Sequence, residues 1–262
     1  MHSVCLILPQ VILEHHSIAI VGATGGIGAC LARQLEPLGC RLTLAARGQA
    51  RLDALAGELR ADASVVDATD SDSVESCLVQ ASEVHGRLDG VVNCVGSLFL
   101  KPAHATRDED WAEVLATNLT SSFYILRCAA RLMMRSGGGS IVLMASAVAQ
   151  RGMINHEAIA AAKAGVVGLA FSAAATYARY NIRVNCVAPG LTRTPLTASL
   201  TQNELTLKAS AALHPLGRIG EPDEVASAIR WFLSPEQSWV TGQVLAVDGG
   251  LSSLQSRMAS NP

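Results

Sequence analysis

Residues 21–28 read VGATGGIG, and this stretch follows an apolar run over Ile18–Val21. Behind it, apolar residues between Ile27 and Leu35 recur on one face of a helix. Gly39 lies where a residue in the left-handed conformation would end that helix. The sequence therefore predicts a strand, a tight glycine turn and an amphipathic helix in direct succession.

A glycine turn in this position is suited to bind a phosphate. Glycines let an anion approach the backbone closely, and the unpaired amides and the dipole at the helix N-terminus attract negative charge. Many glycine-rich turns only connect elements, but one between a first strand and an amphipathic helix favours a dinucleotide. The residues predicted to contact the cofactor here are Gly22, Thr24, Gly25, Gly26, Ile27 and Gly28.

Seven apolar runs rich in β-forming residues alternate with segments of helical spacing. The runs cover Ile18–Val21, Arg41–Ala45, Ala63–Val66, Gly90–Asn93, Ser140–Met144, Ile182–Val187 and Gln243–Val247. Alternating strands and helices require crossover connections and a parallel sheet that is covered on both faces. The sequence therefore predicts an α/β fold, a single Rossmann-type doubly wound parallel sheet of about seven strands.

This single domain is predicted to occupy residues 17–262, and residues 1–16 are predicted to be an N-terminal appendage. No repeat or proline-rich linker marks a second domain. The longest irregular candidate is the segment from Thr192 to Pro215, which could form a mobile flap over a site.

Composition excludes several functions. Half of the 262 residues are apolar and 16% are charged, so the chain can bury a large core without metal or disulfide support. A net charge of −2 and only three lysines argue against nucleic acid as a partner. The apolar stretch Val4–Leu13 is interrupted by Pro9 and is too short to cross a bilayer, so no membrane insertion is expected. Seven scattered cysteines without metal-ligand spacing indicate reduced thiols, a cytoplasmic location and no metal site.

Further motifs between Ser17 and Ser252 make the chain similar to the short-chain dehydrogenase/reductase family. They are the glycine spacing of residues 22–28, Asp67 after the third strand, Asn93-Cys94-Val95-Gly96 in place of the family's Asn-Asn-Ala-Gly, Asn118, Ser146, Lys163, and Pro189-Gly190 followed by Thr194. The resemblance implies a nicotinamide dinucleotide cofactor and hydride transfer to a carbonyl compound or from an alcohol.

The resemblance also assigns cofactor contacts. Asp67 would contact the adenine, although a carboxylate there would also cap the turn at residues 69–71. Asn93 and Gly96 would shape the wall beside the cofactor, and Thr194 would reach the nicotinamide amide or the phosphates. The remaining predicted cofactor-binding positions are Ala68, Cys94, Val95, Lys163, Pro189 and Gly190.

The end of the second strand indicates which dinucleotide is bound. Relatives that prefer NAD place an acidic residue there for the ribose hydroxyls, whereas this chain has Ala46 followed by Arg47. An arginine is suited to bind the 2′-phosphate of NADP(H). The sequence therefore favours NADP(H), with NAD(H) as the alternative and a merely solvated Arg47 as the simpler structural interpretation.

In this family a serine, a tyrosine, a lysine and an asparagine act together. The serine holds the substrate oxygen, the tyrosine supplies the proton, the lysine binds the ribose and lowers the tyrosine pKa, and the asparagine keeps a water relay in place. Ser146, Lys163 and Asn118 match three of these positions. The residue four before Lys163 and thirteen after Ser146 is Ile159, and none of the chain's tyrosines has a lysine four residues on. The Tyr-x-x-x-Lys motif is therefore absent.

Three interpretations follow from Ile159. The first is an NADP(H) oxidoreductase, acting on a carbonyl or a conjugated double bond, whose proton comes from another group. His156 is the first candidate, because it would share a helical face with Ile159 and Lys163 if the helix begins near Asn155; the alternative is that it is only a polar residue in the first turn of that helix. Glu157, on a different face, is a lesser candidate, and bound water is a further donor. The second is a catalytically silent NADP(H)-binding module or oligomer partner. The third is a non-redox lyase, isomerase or cyclase.

The last predictions concern assembly and substrate. The small-residue surface Ala173–Ala175 permits close helix packing, and many relatives pair their helices around Asn118 and residues 155–180, so a homotetramer or homodimer is expected. The alternative is that these alanines pack on the sheet of their own chain. Leu196, Leu200, Leu205 and Leu207, between Thr192 and Pro215, either line a substrate pocket or close over the segment's own core. The first alternative implies a small or medium apolar carbonyl compound as substrate.

Overall fold

The computed structural model describes residues 13–255 as one parallel sheet with helices on both faces. The strands are β1 Ser17–Val21, β2 Arg41–Ala46, β3 Asp62–Val65, β4 Gly90–Asn93, β5 Gly139–Met144, β6 Ile182–Pro189 and β7 Val244–Val247. The α-helices are α1 Gly26–Leu35, α2 Gln49–Leu59, α3 Ser71–His85, α4 Asp108–Leu115, α5 Ser121–Ser136, α6 Glu157–Tyr177, α7 Ala198–Thr201, α8 Glu204–Leu213 and α9 Pro222–Leu233. The predicted α/β class and all seven predicted strands are confirmed, with ends that differ by at most two residues.

The strand order is β3-β2-β1-β4-β5-β6-β7, and every neighbouring pair is parallel. The winding reverses between β1 and β4, whose last residues Val21 and Asn93 are paired in register. Loops that follow the two strands leave in opposite directions at such a reversal, so a crevice opens outside the carboxyl ends of the strands. The functional site is expected there.

The sheet is buried on both faces, which explains why its strands read as continuous apolar runs. In β1, Ala19 and Val21 pack into one core, with α3, α5 and α6. Ile18 and Ile20 point to the opposite face and pack into a second core, with α1, α2 and α9. Successive side chains of one strand therefore anchor two helical layers, and the carboxyl ends of the strands are held rigidly.

The end of α1 differs from the prediction. The α-helix stops at Leu35 and continues as a 3-10 turn over Glu36–Leu38, because Pro37 has no amide to donate to the α-helical ladder. Gly39 then adopts φ 76°, the left-handed conformation, and ends this turn. The glycine signal is therefore confirmed, but it closes a 3-10 turn and not the α-helix.

The segment from Thr192 to Pro215, predicted to be irregular, is largely helical. A 3-10 turn at Pro195–Thr197 leads into α7 and α8. Asn203 begins α8 as its N-cap, since its side chain accepts a hydrogen bond from the Thr206 amide at 3.0 Å. The prediction of irregular structure was wrong because these helices are short and are set by local caps, not by a long apolar period.

α6 is a strongly apolar helix. Together with the turn that follows it, Glu157–Tyr180, it is long and apolar enough by composition to cross a membrane, with a mean hydropathy of 1.7. A helix packed inside a folded domain meets the same criterion, and here Val166 and Ala170 are buried on the sheet. The absence of membrane insertion stays a prediction.

Part of the surface predicted for assembly is internal. Ala173 and Ala174 are buried against the sheet of their own chain, whereas Ala175 is exposed. The expectation of a three-alanine surface was therefore wrong for the first two residues, because they lie on the helix face that turns toward the core. Phe123 and Phe171, on α5 and α6, are about half exposed.

The first strand is preceded by a short segment that contacts the domain. Leu13 is completely buried among the side chains of the α1 face, and the His15 amide donates to the Gly39 carbonyl at 2.9 Å. These residues belong to the predicted appendage, of which residues 1–12 lie outside the described residues, as do residues 256–262. The boundary at residue 16 stays a prediction.

Candidate active site

A cleft of about 400 Å³ lies at the carboxyl ends of β1 to β4 and includes the point where the winding reverses between β1 and β4. Its floor is the glycine turn, and its sides come from the segments after β2, β3 and β4. A second cavity of about 340 Å³ adjoins it and shares Ile27, Leu196 and the wall Cys94–Gly96 with it. The two spaces form one continuous site.

The glycine turn packs so closely against neighbouring atoms that three of its positions have no room for a side chain. Gly22 has φ +86°, and a Cβ on it would lie 2.8 Å from the Cys94 carbonyl carbon. A Cβ on Gly28 would lie 2.5 Å from the Gly22 oxygen, and one on Gly26 would lie 2.7 Å from the Thr194 side chain. Larger residues are thus excluded at three positions. Gly25, the N-cap of α1, offers no side-chain cap, so the first amides of the helix face the cleft.

These features fit the pyrophosphate of a dinucleotide. An anion in the cleft would receive hydrogen bonds from the uncapped amides of α1 and would lie at the positive end of the helix dipole. Thr24 and Ile27 also line the cleft, as predicted residues of the same turn. Thr194 borders it from the opposite side, where its hydroxyl pairs with that of Thr197 at 3.1 Å.

The far end of the cleft carries two arginines. Arg47 and Arg51 both line it, both are exposed, and neither forms an ion pair with the residues between 13 and 255. The Arg51 guanidinium covers Gly48, at 3.6 Å from the position of a Cβ there. Arg51 was missed in the sequence, because its place over the cleft depends on where α2 begins, at Gln49.

Asp67 combines both predicted roles. Its carboxylate accepts hydrogen bonds from the Thr69 amide at 2.9 Å and the Thr69 hydroxyl at 2.7 Å, so it caps the turn. The Thr69 amide, with a further contribution from Arg47, lowers the pKa of this carboxyl. Asp67 and the buried Ala68 nevertheless line the cleft beside Arg47.

The wall after β4 is held by a buried asparagine. Asn93 donates to the Ser122 hydroxyl at 2.9 Å and accepts from the Val95 amide at 2.9 Å. Its side chain therefore shapes the loop and does not line either cavity, whereas Cys94, Val95 and Gly96 line both. The Asn93 side chain therefore holds the wall in place through the Val95 amide and the Ser122 hydroxyl, despite the two substitutions in the family motif.

Asn118 lies in a π-helical turn and not in a regular helix. The turn covers Ala116–Thr120 between α4 and α5, a widening that often occurs at functional sites. The Asn118 amide nitrogen donates to the Val114 carbonyl at 3.0 Å and to the Ser97 hydroxyl at 2.8 Å, and its oxygen accepts from the Ser97 amide at 3.1 Å. All its side-chain hydrogen bonds are thus internal, and it borders the second cavity.

Ser146 and Lys163 lie on the same cavity. Ser146 follows β5, and its hydroxyl oxygen accepts a long hydrogen bond from the Val148 amide at 3.4 Å. Lys163 is only 6% exposed and donates to the Met144 carbonyl at 2.8 Å. Burial lowers the pKa of its ammonium to about 8.

The start of α6 brings three predicted residues together. His156, Ile159 and Lys163 all line the cavity, while Glu157 is exposed and does not. The helix begins at Glu157, not near Asn155, because Asn155 has φ 63° and cannot continue a helix. The prediction of the helix start was therefore wrong, but His156 as N-cap still points its edge at the cavity.

Ile159 occupies an apolar part of the cavity wall. It is 6% exposed and packs with Val114, Ala158 and Ala162. Within the described part of the chain, no tyrosine lines the cavity; Tyr124, Tyr177 and Tyr180 instead pack beside the sheet core.

His214 was missed in the sequence. It is 3% exposed and borders the cavity beyond Pro189 and Gly190. Its Nδ1 donates to the Ser210 carbonyl at 2.7 Å, and its Nε2 accepts from the Leu191 amide at 3.3 Å. Both ring nitrogens are therefore used to hold α8 against the loop after β6. No local pattern marks this residue, since its partners come from two separate elements.

The cavity is otherwise apolar. Its apolar lining includes Leu98, Leu100, Met144, Val148, Met153, Leu196, Leu200, Leu213 and Leu251. Among residues 13–255, no group of three or more histidine, cysteine or acidic side chains is arranged to hold a metal ion. Polar side chains also line the cavity, among them Ser97, Ser146, His156, Thr197, Ser210 and His214, so a ligand with a polar group and an apolar body is favoured.

The fold and the site together define a nicotinamide-dinucleotide oxidoreductase class, and comparison with known proteins specifies it. The family model described as enoyl-(acyl carrier protein) reductase matches residues 22–252. The cis-4-hydroxycyclohexanecarboxylate dehydrogenase of Sinomonas cyclohexanicum is 38% identical over 242 residues, covering 90% of this chain and 96% of that protein. A tropinone reductase homolog of Arabidopsis thaliana is 34% identical over 239 residues, covering 89% and 90%.

Comparison with solved structures supports the same class of protein. A short-chain type dehydrogenase/reductase from Mycobacterium ulcerans superposes with a TM-score of 0.89 at 31% identity, over 93% of this chain and 92% of that chain. A variant of actinorhodin polyketide ketoreductase with NADPH gives 0.86 at 32% identity, over 91% and 98%. The chain belongs to the short-chain dehydrogenase/reductase family, and it is an NAD(P)-dependent oxidoreductase of that type.

Proposed function

We propose that this protein is an NADP(H)-dependent oxidoreductase acting on a small or medium apolar carbonyl compound, its alcohol or a conjugated enone, with a proton donor other than tyrosine. The observation that carries this proposal is the continuous site in which Ser146 and Lys163 border one cavity while Ile159 stands four residues before the lysine. The serine and the lysine that would orient the substrate and bind the cofactor are present at this site, whereas the tyrosine that would supply the proton is not.

The choice of NADP(H) rests on the two unpaired arginines at the far end of the cleft. Guanidinium groups bind phosphate through planar, charge-assisted hydrogen bonds, and Arg47 and Arg51 would hold the 2′-phosphate between them. Ala46 at the end of β2 supplies no carboxylate for ribose hydroxyls, which disfavours NAD(H). The uncapped amides of α1 would hold the pyrophosphate, and Lys163 would bind the nicotinamide ribose. When bound, the cofactor donates or accepts the hydride.

Ser146 is the residue that would hold the substrate oxygen, because its hydroxyl hydrogen points to no described acceptor and it lines the cavity. Ile159 has no proton to give at the position where relatives have tyrosine. Loss of a positioned acid costs about 10²- to 10⁴-fold in rate, so catalysis requires a substitute.

His156 is the proposed substitute. A carbonyl oxygen only accepts hydrogen bonds, so the 2.7 Å contact with the Ile154 carbonyl places a proton on Nδ1. Nε2 then remains the nitrogen that can carry a second proton, donate it to the substrate oxygen and recover it from solvent through the half-exposed ring. The neighbouring Ile154 is 87% exposed, which places this histidine at the mouth of the cavity.

A catalytically silent NADP(H)-binding module is the second candidate. It is favoured by the packing of Ile159 with Val114, Ala158 and Ala162, which gives the position an apolar structural role. Calorimetry with NADPH and NADH, followed by a screen of apolar ketones, alcohols and enones, separates the candidates. Turnover by the wild type that falls about 100-fold or more in His156→Ala supports the enzyme with a histidine donor. Turnover that arises only in Ile159→Tyr supports the silent module.

We also propose that the protein is a homodimer or homotetramer. Phe123 and Phe171 expose 44% and 51% of their area on the outer faces of α5 and α6, and exposed aromatic residues on adjacent helices are typical of an interface. Light scattering after size exclusion should show the oligomer in the wild type and the monomer in Phe171→Glu. A monomeric wild type would refute this assembly.

A further inference from the structure

Lys163 differs in its surroundings from the other two lysines of the chain. Lys101 and Lys208 are exposed and pair with Asp110 at 3.3 Å and with Glu204 at 2.8 Å. Lys163 is buried, forms no ion pair with any of the residues from 13 to 255, and donates to the Met144 carbonyl. Two of its three N–H groups therefore remain available toward the cavity.

None of the described residues that line the cavity with this amine is acidic, and its hydrogen-bond acceptor is the Met144 carbonyl. Burial raises the pKa of the neighbouring Cys94 and Cys186 thiols to about 12, so both are neutral. Asn118 borders the same cavity but spends its side-chain atoms on internal hydrogen bonds. With the pKa of Lys163 lowered to about 8, about a tenth of the amine is neutral at pH 7.

The space in front of the amine suits an uncharged carbonyl compound. Nζ lies 3.7 Å from the position of a Cβ on Gly96, so it borders the junction between the cleft and the 340 Å³ cavity. Ile159, on the same helix face, places hydrocarbon beside it, and no phenol competes for its lone pair. An unprotonated, desolvated lysine beside an apolar cavity is the arrangement that forms Schiff bases.

We propose that Lys163 is a covalent capture site for small apolar aldehydes when the cleft holds no dinucleotide. The neutral Nζ attacks the carbonyl carbon and forms a C–N bond, the C–O bond breaks, and the oxygen leaves as water with two protons that come from Nζ. The product is an imine, and no oxidant or reductant is required. Ser146 and His156 border the same cavity and can relay the protons between Nζ and the departing oxygen.

Trapping of the imine tests this proposal. The wild-type protein is incubated at pH 7 with butanal and sodium cyanoborohydride, which reduces an imine to a stable secondary amine, and the alkylated residues are identified by peptide mass mapping. Lys163 should be alkylated at least about tenfold faster than Lys101 or Lys208, because those amines are exposed and are paired with Asp110 and Glu204. The N-terminal amine also reacts near neutral pH, and mapping distinguishes it.

Two variants and one competition complete the test. Lys163→Arg keeps the charge and should lose the internal adduct, whereas the matched Lys101→Arg should keep it. NADPH should protect Lys163, and this arm alone rests on the proposed function: rapid alkylation without protection supports the capture site and refutes the cofactor placement. Alkylation confined to Lys101, Lys208 and the N-terminus of a folded wild type overturns the capture site.

Discussion

The sharpest prediction concerns Arg47 and Arg51, the two arginines at the far end of the cleft. In Arg47→Ala and Arg51→Ala, the affinity for NADPH should fall while the affinity for NADH stays unchanged within about twofold, because only NADPH carries the 2′-phosphate. Both side chains line the cleft without an ion-pair partner among the described residues, so neither replacement breaks an internal salt bridge.

The magnitude follows from the geometry. A hydrogen bond to a charged group contributes about 1.5–3 kcal/mol, and the exposure of both arginines reduces this to about 1–2 kcal/mol each. Each single variant should therefore bind NADPH about 5- to 30-fold more weakly, and the double variant about 30- to 1,000-fold more weakly. The difference between the two coenzymes should shrink as salt is added, since these charges are screened by solvent ions.

Calorimetric titration of each variant with both coenzymes measures the effect. Arg135→Ala is the matched control, because this exposed arginine lies in the last turn of α5, which leads into the amino end of β5 at the edge of the sheet opposite the cleft. Equal losses for NADPH and NADH, or a wild type that binds NADH more tightly, would refute the assignment of the 2′-phosphate to this pair.

Three further predictions follow from the same structure. Gly28→Ala places a Cβ 2.5 Å from a backbone oxygen of the glycine turn, so the free energy of unfolding measured in denaturant should fall by about 1–3 kcal/mol. Gly57→Ala, with open space around its Cβ, should raise that free energy by about 0.5–1 kcal/mol. Equal free energies for the two variants would contradict the close contact at Gly28. If His156 supplies the proton, Ile159→Tyr should change turnover of an identified ketone by less than about tenfold, and a rise of about 100-fold or more would show that the wild type lacks an effective acid. Arg218, together with the Glu221 amide, lowers the pKa of Glu224 to about 2, so the contribution of this carboxylate to stability is present above the ordinary carboxyl pKa and is lost as pH falls toward 2. In Arg218→Ala an NMR titration should find a clearly higher midpoint for Glu224 that still lies below the ordinary value, because the Glu221 amide remains; a midpoint that stays near 2 would mean that the arginine is not the main cause.

Much of the fold was predictable because its signals are local. The run Ile18–Val21 is apolar at every position, as expected for a strand that is buried on both faces. The glycine turn after it leaves little room for side chains, which favours a tight connection from the strand to a helix. Where short helices depend on caps, as in α7 and α8, periodicity over the segment carried no signal and the prediction of irregular structure failed.

The candidate site likewise has features that the sequence predicts and features that only the folded chain shows. By itself, the sequence determined the class of site: the glycine turn, Ser146, the four-residue step from Ile159 to Lys163, and Arg47 are all readable along the chain. Only the tertiary structure decided that Arg51 stands over the same cleft.

The same holds for the environment of each group. That Asn118 sits in a π-helical turn, that His214 joins α8 to the loop after β6, and that Lys163 loses its solvent without gaining a carboxylate are visible only in the folded chain. The physical reason is that residue type and spacing specify which groups can meet, whereas pKa, burial and hydrogen-bond partners depend on atoms contributed by elements far apart in the chain.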